Sequence, residues 1–326
     1  LFESRFSLNY LILGVGGTGG MLAFSLARAG RPVEIVARGA HLEAIRENGL
    51  VRHTMWDDRR ESVPLSVYRG GTPDVVFLCV KSYSAASFLP FLREHADAHT
   101  VVIPILNGIG NGPRLQKQLP GTNVLDGCIY VSANIESPGV ILQHTPILRV
   151  VFGRRDGAVS PRLEAIATDL RSAGMEAEVS RRILRDTLEK FSYVSAAGTA
   201  GLVFGVTAGG IQHPGPARDY FVQLVRETEA LGDAMGCHNE KDLAAKNLQI
   251  IQPLPPETTT VPGTKEELVG GKPEENAQIT RDILAGRPSE ADGLICEPVR
   301  LGKKYGVPTP AYERGEKWLC ENTNGK

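Results

Sequence analysis

Three groups of residues in this chain of 326 have types and spacing suited to chemistry. The first is "LGVGGTGG", in which Gly14, Gly16 and Gly19 form a Gly-x-Gly-x-x-Gly series with Val15, Gly17 and Thr18 between them. The first glycine allows a tight turn, the second lets backbone approach a pyrophosphate, and the third packs a helix on a strand. The amides opening that helix attract phosphate. The apolar run "YLIL" before the series and the helical stretch "MLAFSLARAG" after it favour a dinucleotide turn over a ligand-free glycine turn. At the end of the next strand, "IVARGAH", stands Arg38, and Glu34 falls too early, within the strand. An acid there would bind a ribose 2′-hydroxyl, whereas a guanidinium suits a 2′-phosphate. NADP(H) is therefore expected over NAD(H), against the plainer reading of Arg38 as a solvated surface residue.

The second group is "LEKFSYVSAAGTAG", where Lys190 heads a run of apolar and small residues. Hydride addition to a carbonyl develops negative charge on oxygen, and a lysine nearby can stabilise that charge and donate the proton. A lysine snorkelling from a helix end is the alternative. The third group is Lys81, after "VVFLCV", and Asn107, in "PILNGIGN". Both follow predicted parallel strands, at the ends where open α/β sheets bind ligands; a solvated lysine and a simple Asn-Gly turn remain open. His53, His95 and His99 read as surface positions, and His144 and His213 lack a motif partner, which disfavours a histidine-centred mechanism.

These residues need elements to hold them. Short β-branched runs ("YLILG", "PVEIVAR", "DVVFLCV", "TVVIPIL") alternate with helical stretches, the rhythm of a doubly wound parallel sheet. "NVLDGCIYVSANIE" and "GVILQHTPILRVVFG" lack intervening helices and are expected to extend or edge that sheet. From about Ser180 the spacing becomes helical. The expected division is 1–181, an α/β dinucleotide-binding domain, and 182–326, a mainly helical substrate or dimerisation domain. The stretch 252–274, rich in Pro, Thr and Gly, reads as a surface loop or a lid.

The 36 Lys and Arg against 37 Asp and Glu are scattered, which excludes the basic stripe of a nucleic-acid binder. Five distant cysteines without a Cys-x-x-Cys or Cys/His cluster suggest free thiols, a reducing cytoplasm and no metal. No apolar run reaches the ~18 residues that span a bilayer, and no membrane partner is expected. Leu8–Gly30 is broken by five glycines and reads as fold rather than signal peptide. The opening "LFESRFS" is assigned no function.

With these residues in view, the chain resembles the ketopantoate reductase (2-dehydropantoate 2-reductase) family over nearly its whole length. The matching segments are "LGVGGTGG", "VARGAHLEAIRENGL", "VFLCVKSY", "PILNGIGN", "SANIESPGVI", "LEKFSYV" and "TRDILAGRPSEADGLICEPVRLGKKYGVPTP"; the last, with Asp282, Gly286, Arg287 and Glu290, is the most specific. The resemblance implies a Rossmann domain followed by a helical domain of the 6-phosphogluconate-dehydrogenase type, with a substrate cleft between them. It also implies hydride transfer from NADPH to the ketone carbon of a 2-oxo acid, with a homodimer as a compatible assembly. Lys190 matches the family's catalytic lysine, opening its helix ahead of a large apolar residue, Phe191. Glu290 matches the acid that contacts cofactor and helps fix the site, and as a neighbour it would keep Lys190 charged.

The resemblance fails at the substrate. The family carries asparagines four and eight residues after the lysine; here they are Val194 and Gly198, and its carboxylate-binding serine is matched by Gln278. A site built to pair polar substrate groups discriminates by up to ~10⁴ or more, so their loss points away from ketopantoate. Together with Ala197 and Gly201, the altered positions suit a bulkier, more apolar carbonyl compound or an imine. A non-catalytic NADP(H)-binding regulator and an imine- or opine-type dehydrogenase are the competing readings.

Overall fold

The continuous apolar runs of the first half become strands buried on both faces. The computed structural model describes residues 7–238, 242–258 and 289–323. Strands β1 (Tyr10–Leu13), β2 (Val33–Val36), β5 (Ser66–Val67), β6 (Val75–Leu78), β7 (Val101–Pro104) and β8 (Asn123–Val124) form a parallel sheet in the order β5-β2-β1-β6-β7-β8. Every residue of β1, β6 and β7 is buried, as expected where helices cover both faces. The strand order reverses at β1 and β6, the switch point where such sheets bind ligands.

One face of this sheet packs on α1 (Gly17–Arg28) and α5 (Pro161–Ser172), through Tyr10, Ile12, Phe77 and Ile103 against Leu22, Leu26 and Ile166. The other carries α3 (Leu89–His95) and α4 (Asn111–Gln118), through Leu92 and Leu115.

The segments expected to extend this sheet instead build a second one. It comprises β3 (Leu50–Thr54), β4 (Arg59–Val63), the hairpin β9 (Asp126–Ser137) and β10 (Val140–Gly153), and β11 (Glu176–Val179). One edge of β10 pairs antiparallel with β9; the other pairs parallel with β3 and then β11. The physical reason lies in α1, whose residues 19–26 are all buried. A helix apolar all round cannot leave a face to solvent, and Ile141, Val150 and Leu50 of the second sheet cover it within one core.

This sheet also corrects the surface reading of His53. His53 on β3 lies with its side chain only 13% exposed, bonded to Asp58 and Glu136. His144 on β10 is buried and hydrogen-bonded to Asn134. His95 is half-buried on the tyrosine ring of Tyr68.

The chain divides into two compact units: 1–106 with 110–183, and 107–109 with 184–326. The second contains α6 (Ile183–Phe204), α7 (Ala208–Gln212), α8 (Pro216–Ala234), α9 (Leu243–Ile251), a π-helical turn (Asp292–Cys296), α10 (Glu297–Tyr305) and α11 (Pro310–Thr323), with no strand among the described residues. Ala196, Ala200, Phe221, Leu224 and Tyr312 form its core. The Glu227 carboxylate on α8 accepts from the backbone amides of Ala311 (2.8 Å) and Tyr312 (3.1 Å), satisfying orphan donors at the start of α11. Burial pushes the Glu227 carboxyl upward, opposed by those amides.

Of the stretch 252–274, the described part is tied down. Pro256 accepts from the Gly209 amide (2.8 Å) and the Thr207 hydroxyl (2.7 Å), and Gln212 donates to the Leu254 carbonyl (2.6 Å). The rest of the stretch, from 259, lies outside the described residues. No described helix is long and apolar enough to cross a membrane.

The glycines opening α1 separate packing from ligand approach. A Cβ on Gly17 would lie 1.9 Å from the Ala133 carbonyl oxygen of β9, whereas one on Gly16 would meet nothing within 4 Å. Gly17→Ala is therefore expected to destabilise the first unit by about 2–3 kcal/mol, read as a fall in thermal midpoint of about 5–10 °C. Gly16→Ala should leave that midpoint within about 2 °C.

Candidate active site

The glycine turn leaves β1 at Gly14, whose φ of 91° disfavours any other residue. The Gly14 amide donates to the Val36 carbonyl (3.0 Å) and the Cys79 amide to that of Leu13 (2.8 Å), which ties the ends of β2 and β6 to the turn. Val15 is buried. Gly16 is the extended N-cap of α1 with no side-chain cap, and the first turn of the helix, with Gly17, Thr18 and Gly19, carries no acid. A Cβ on Gly19 would lie 1.9 Å from the Gly14 carbonyl oxygen, so this glycine sets the contact of helix on turn.

Arg38, two residues beyond β2, is exposed at the N-cap of α2 (Gly39–Asn48) and makes no ion pair among the described residues. Glu34 lies inside β2. Lys81 is exposed just past β6, where its carbonyl accepts from the Ser84 amide (2.8 Å) and opens a 3₁₀ segment, Ser82–Phe88. An open cradle at Gly16, a positive helix terminus without acids and an exposed guanidinium fit a phosphate-rich dinucleotide.

Lys190 does not open its helix. It lies seven residues inside α6, because "ILRDTLE" ahead of it is also helical and buries Ile183 and Leu188. The opposite side of α6 is fixed to α9: Lys246 pairs with Glu189, and Asn247 donates to the Ser192 hydroxyl (2.9 Å). Lys190 Nζ donates to Asn107 Oδ1 at 3.0 Å. Asn107 follows β7 by three residues yet belongs to the second unit, anchored by Ile109 in an apolar cluster with Phe191, Val194, Leu294 and Trp318. Two residues 83 positions apart in sequence thus meet through side chains.

Val194 and Gly198 continue the Lys190 face at the fourth and eighth positions; Val194 faces the apolar cluster and Gly198 is buried. Tyr193 is held neutral, its hydroxyl pushed up to about 12 by burial.

Glu290 is buried just ahead of the π-helical turn, and its carbonyl accepts from the Leu294 amide (3.0 Å). The Ser195 hydroxyl on α6 donates to the Leu294 carbonyl (2.6 Å), stitching this turn to the helix of Lys190. Tyr312 OH completes the arrangement at 2.8 Å from both Ser195 and Thr228 hydroxyls. Sequence reading passed over Ser195 and Tyr312, since a serine and a tyrosine in apolar runs carry no motif. Gln278, Asp282, Gly286 and Arg287 lie outside the described residues.

Residues 10–157 match the family model "Ketopantoate reductase PanE/ApbA", and residues 182–314 match its C-terminal model. The chain belongs to the ketopantoate reductase family. It is accordingly an oxidoreductase, in a family whose reductases depend on a pyridine nucleotide. The 2-dehydropantoate 2-reductase of Mesorhizobium japonicum is 27% identical, covering 94% of this chain and 95% of that protein. Among solved structures, the 2-dehydropantoate 2-reductase of Methylococcus capsulatus superposes with a TM-score of 0.80 at 23% identity, covering 98% of each chain. D-mandelate dehydrogenase, in a ternary structure with NADH and anilino(oxo)acetate, gives 0.78 at 18% identity, covering 97% of this chain and 98% of that one. At these identities the two structures share the fold.

In this ketopantoate reductase family member, Ser195 holds two buried partners. Ser195→Ala leaves the Leu294 carbonyl without that donor and is expected to cost about 1–3 kcal/mol, measured by urea unfolding. Thr228→Ala should cost less, because Tyr312 keeps its bond to Ser195.

Proposed function

We propose that this chain is an NADPH-dependent reductase that delivers hydride to the ketone carbon of a 2-oxo acid or related carbonyl compound, with Lys190 as proton donor. The observation that carries this reading is the 3.0 Å hydrogen bond from Lys190 Nζ to Asn107 Oδ1. A partner amide oxygen favours the charged ammonium and fixes its direction.

Gly14, Val15, Gly16, Gly17, Thr18 and Gly19 hold the dinucleotide pyrophosphate, Arg38 its 2′-phosphate, and Lys81 further phosphate or ribose oxygens. When bound, NADPH supplies the hydride. Lys190 donates a hydrogen bond to the substrate carbonyl oxygen, polarising it, and transfers its proton to that oxygen as negative charge develops; solvent then restores the ammonium. Asn107 orients Lys190 and presents its amide to the substrate. Glu290 contacts the cofactor and fixes the site from its buried turn.

The substrate side chain is read as apolar and bulky. Val194, beside Lys190, joins Ile109, Leu294 and Trp318 in one apolar cluster, where a polar substituent would be left unpaired. The anilino(oxo)acetate of D-mandelate dehydrogenase is an aryl compound of this kind, and phenylglyoxylate is the first substrate to try.

Lys190→Ala should lower kcat by about 10²–10⁴-fold in a nicotinamide-absorbance assay while NADPH affinity stays within about twofold; turnover at the parental rate defeats the reading. Arg38→Ala should weaken NADPH binding by about 10–100-fold and leave NADH binding unchanged, measured by fluorescence titration. Val194→Asn should move kcat/KM from phenylglyoxylate toward ketopantoate, by about tenfold or more in the ratio.

A further inference from the structure

The turn that carries Asn107 is closed at its base by a second asparagine, Asn111, the last residue of "PILNGIGN". After β7 the chain is held by the Ile105 amide, which donates to the Leu78 carbonyl (2.9 Å), and by Leu106, buried with Leu115 of α4. It then turns through Gly108 (φ 118°) and Gly110 (φ 73°), two residues that permit the turn and have no side chain to hold it. Asn111, the first residue of α4, spans the turn: its Nδ2 donates to the Leu106 carbonyl (3.3 Å). Its Oδ1 accepts from Arg114 Nη2 (3.0 Å). The oxygen is thus engaged on the helix side, and the NH₂ group is the one that faces Leu106.

The first turn of α4 is anchored in its own right. Asp126, buried at the start of β9, accepts from the Gly112 amide (3.2 Å) and from Arg155 Nη1 (2.7 Å). Its carboxylate fills the space that a Cβ on residue 112 would need. An acid at this helix end satisfies an orphan amide and complements the helix dipole. Asn111 therefore reaches Leu106 from a fixed support.

We infer that Asn111 is a positioning residue for the pair Lys190 and Asn107: its side-chain amide restrains the peptide that precedes Asn107 and so directs Asn107 Oδ1 at the ammonium. The Leu106 carbonyl and the Asn107 nitrogen belong to one planar peptide group. A bond to that carbonyl restrains the plane from which the Asn107 side chain departs. Ile109, in its apolar cluster, holds the far side of the turn; Asn111 holds the near side. Between them the 3.0 Å approach of Asn107 Oδ1 to Lys190 Nζ is set. The inference rests on the reading of Lys190 as proton donor. Without the restraint the Asn107 side chain swings away from Nζ, and a misplacement of about 1 Å at a reacting group costs up to about 10²-fold in rate.

The test uses the full-length protein, with kcat and KM for NADPH on a 2-oxo acid that the parent reduces. Asn111→Leu keeps bulk and removes both polar atoms. Asn111→Asp keeps the shape and an oxygen for Arg114, sets an acceptor against the Leu106 carbonyl, and adds an acid suited to a helix N-terminus. Both should lower kcat about tenfold with KM for NADPH within about twofold, and Asn111→Asp should keep the thermal midpoint within about 3 °C. Combined with Asn107→Ala, either substitution should lower kcat less than about twofold further, because no oxygen remains to be directed. Parental kcat in both single variants overturns the proposal, as does a tenfold loss that repeats in the Asn107→Ala background. If Asn111→Leu does not fold, Asn111→Asp decides alone. Labelling of Lys190 by limiting acetic anhydride, read by mass spectrometry, needs no turnover. Losing the partner oxygen disfavours the charged ammonium, so labelling should quicken about threefold in Asn107→Ala and in Asn111→Leu alike. A rise in Asn107→Ala alone overturns the proposal; a rise in neither overturns it together with the pairing. Full turnover by Lys190→Ala refutes the proton-donor reading itself, which is a separate result.

Discussion

The absence of a side chain at residue 17 is the constraint on which the first unit depends. At 1.9 Å from the Ala133 carbonyl oxygen, a methyl group there would collide with backbone, which cannot rotate away as a side chain can. The close approach brings the β9–β10 hairpin against the start of α1, and that contact accounts for the second sheet. Helix α1 can then be apolar on every side, and its N-terminus is fixed by backbone rather than by flexible side chains. A terminus fixed in this way presents its amides in one orientation, which suits recognition of a phosphate group whose charge is diffuse.

The second unit uses a different device. Helix α6 is tied to α9 on one side by Glu189 and Ser192, and to the π-helical turn by Ser195. The remaining face presents Lys190 to Asn107. An ammonium on four methylenes loses much rotamer freedom when ordered, up to about 2 kcal/mol. Here the surrounding helix is already rigid, and the Asn107 amide oxygen gives the ammonium a fixed direction at 3.0 Å. The π-helical turn fits the same logic, since an extra residue in a helical turn re-aims the side chains around it and often marks a functional position.

Much of this was legible from residue order, and the exceptions have physical causes. β1, β6 and β7 are unbroken apolar runs, and the glycine series lies between a strand and a helix, so both follow from local pattern. β3 and β4, "LVRHT" and "RRESV", hide because only one face is covered and their charges pair across strands, as Arg52 and Glu61 do. The place of Lys190 was misjudged since the charged turn before it hides two buried residues, Ile183 and Leu188. Its pairing with Asn107 depends on a contact across 83 positions, which no periodicity encodes. Ser195 gains meaning only from the Leu294 carbonyl that it meets.

The three residues 107–109 belong to the second unit while the chain on both sides of them belongs to the first. The polypeptide therefore crosses between units three times, at 106/107, 109/110 and 183/184, and no single scission divides it into its two folding parts. A fragment ending near 181 would carry away Asn107, and the remaining piece would hold Lys190 without the oxygen that receives it. The two halves are thus not interchangeable modules joined by a linker. The first lends the second a tripeptide, and any recombination between relatives that breaks at the obvious boundary must bring a compatible tripeptide with it.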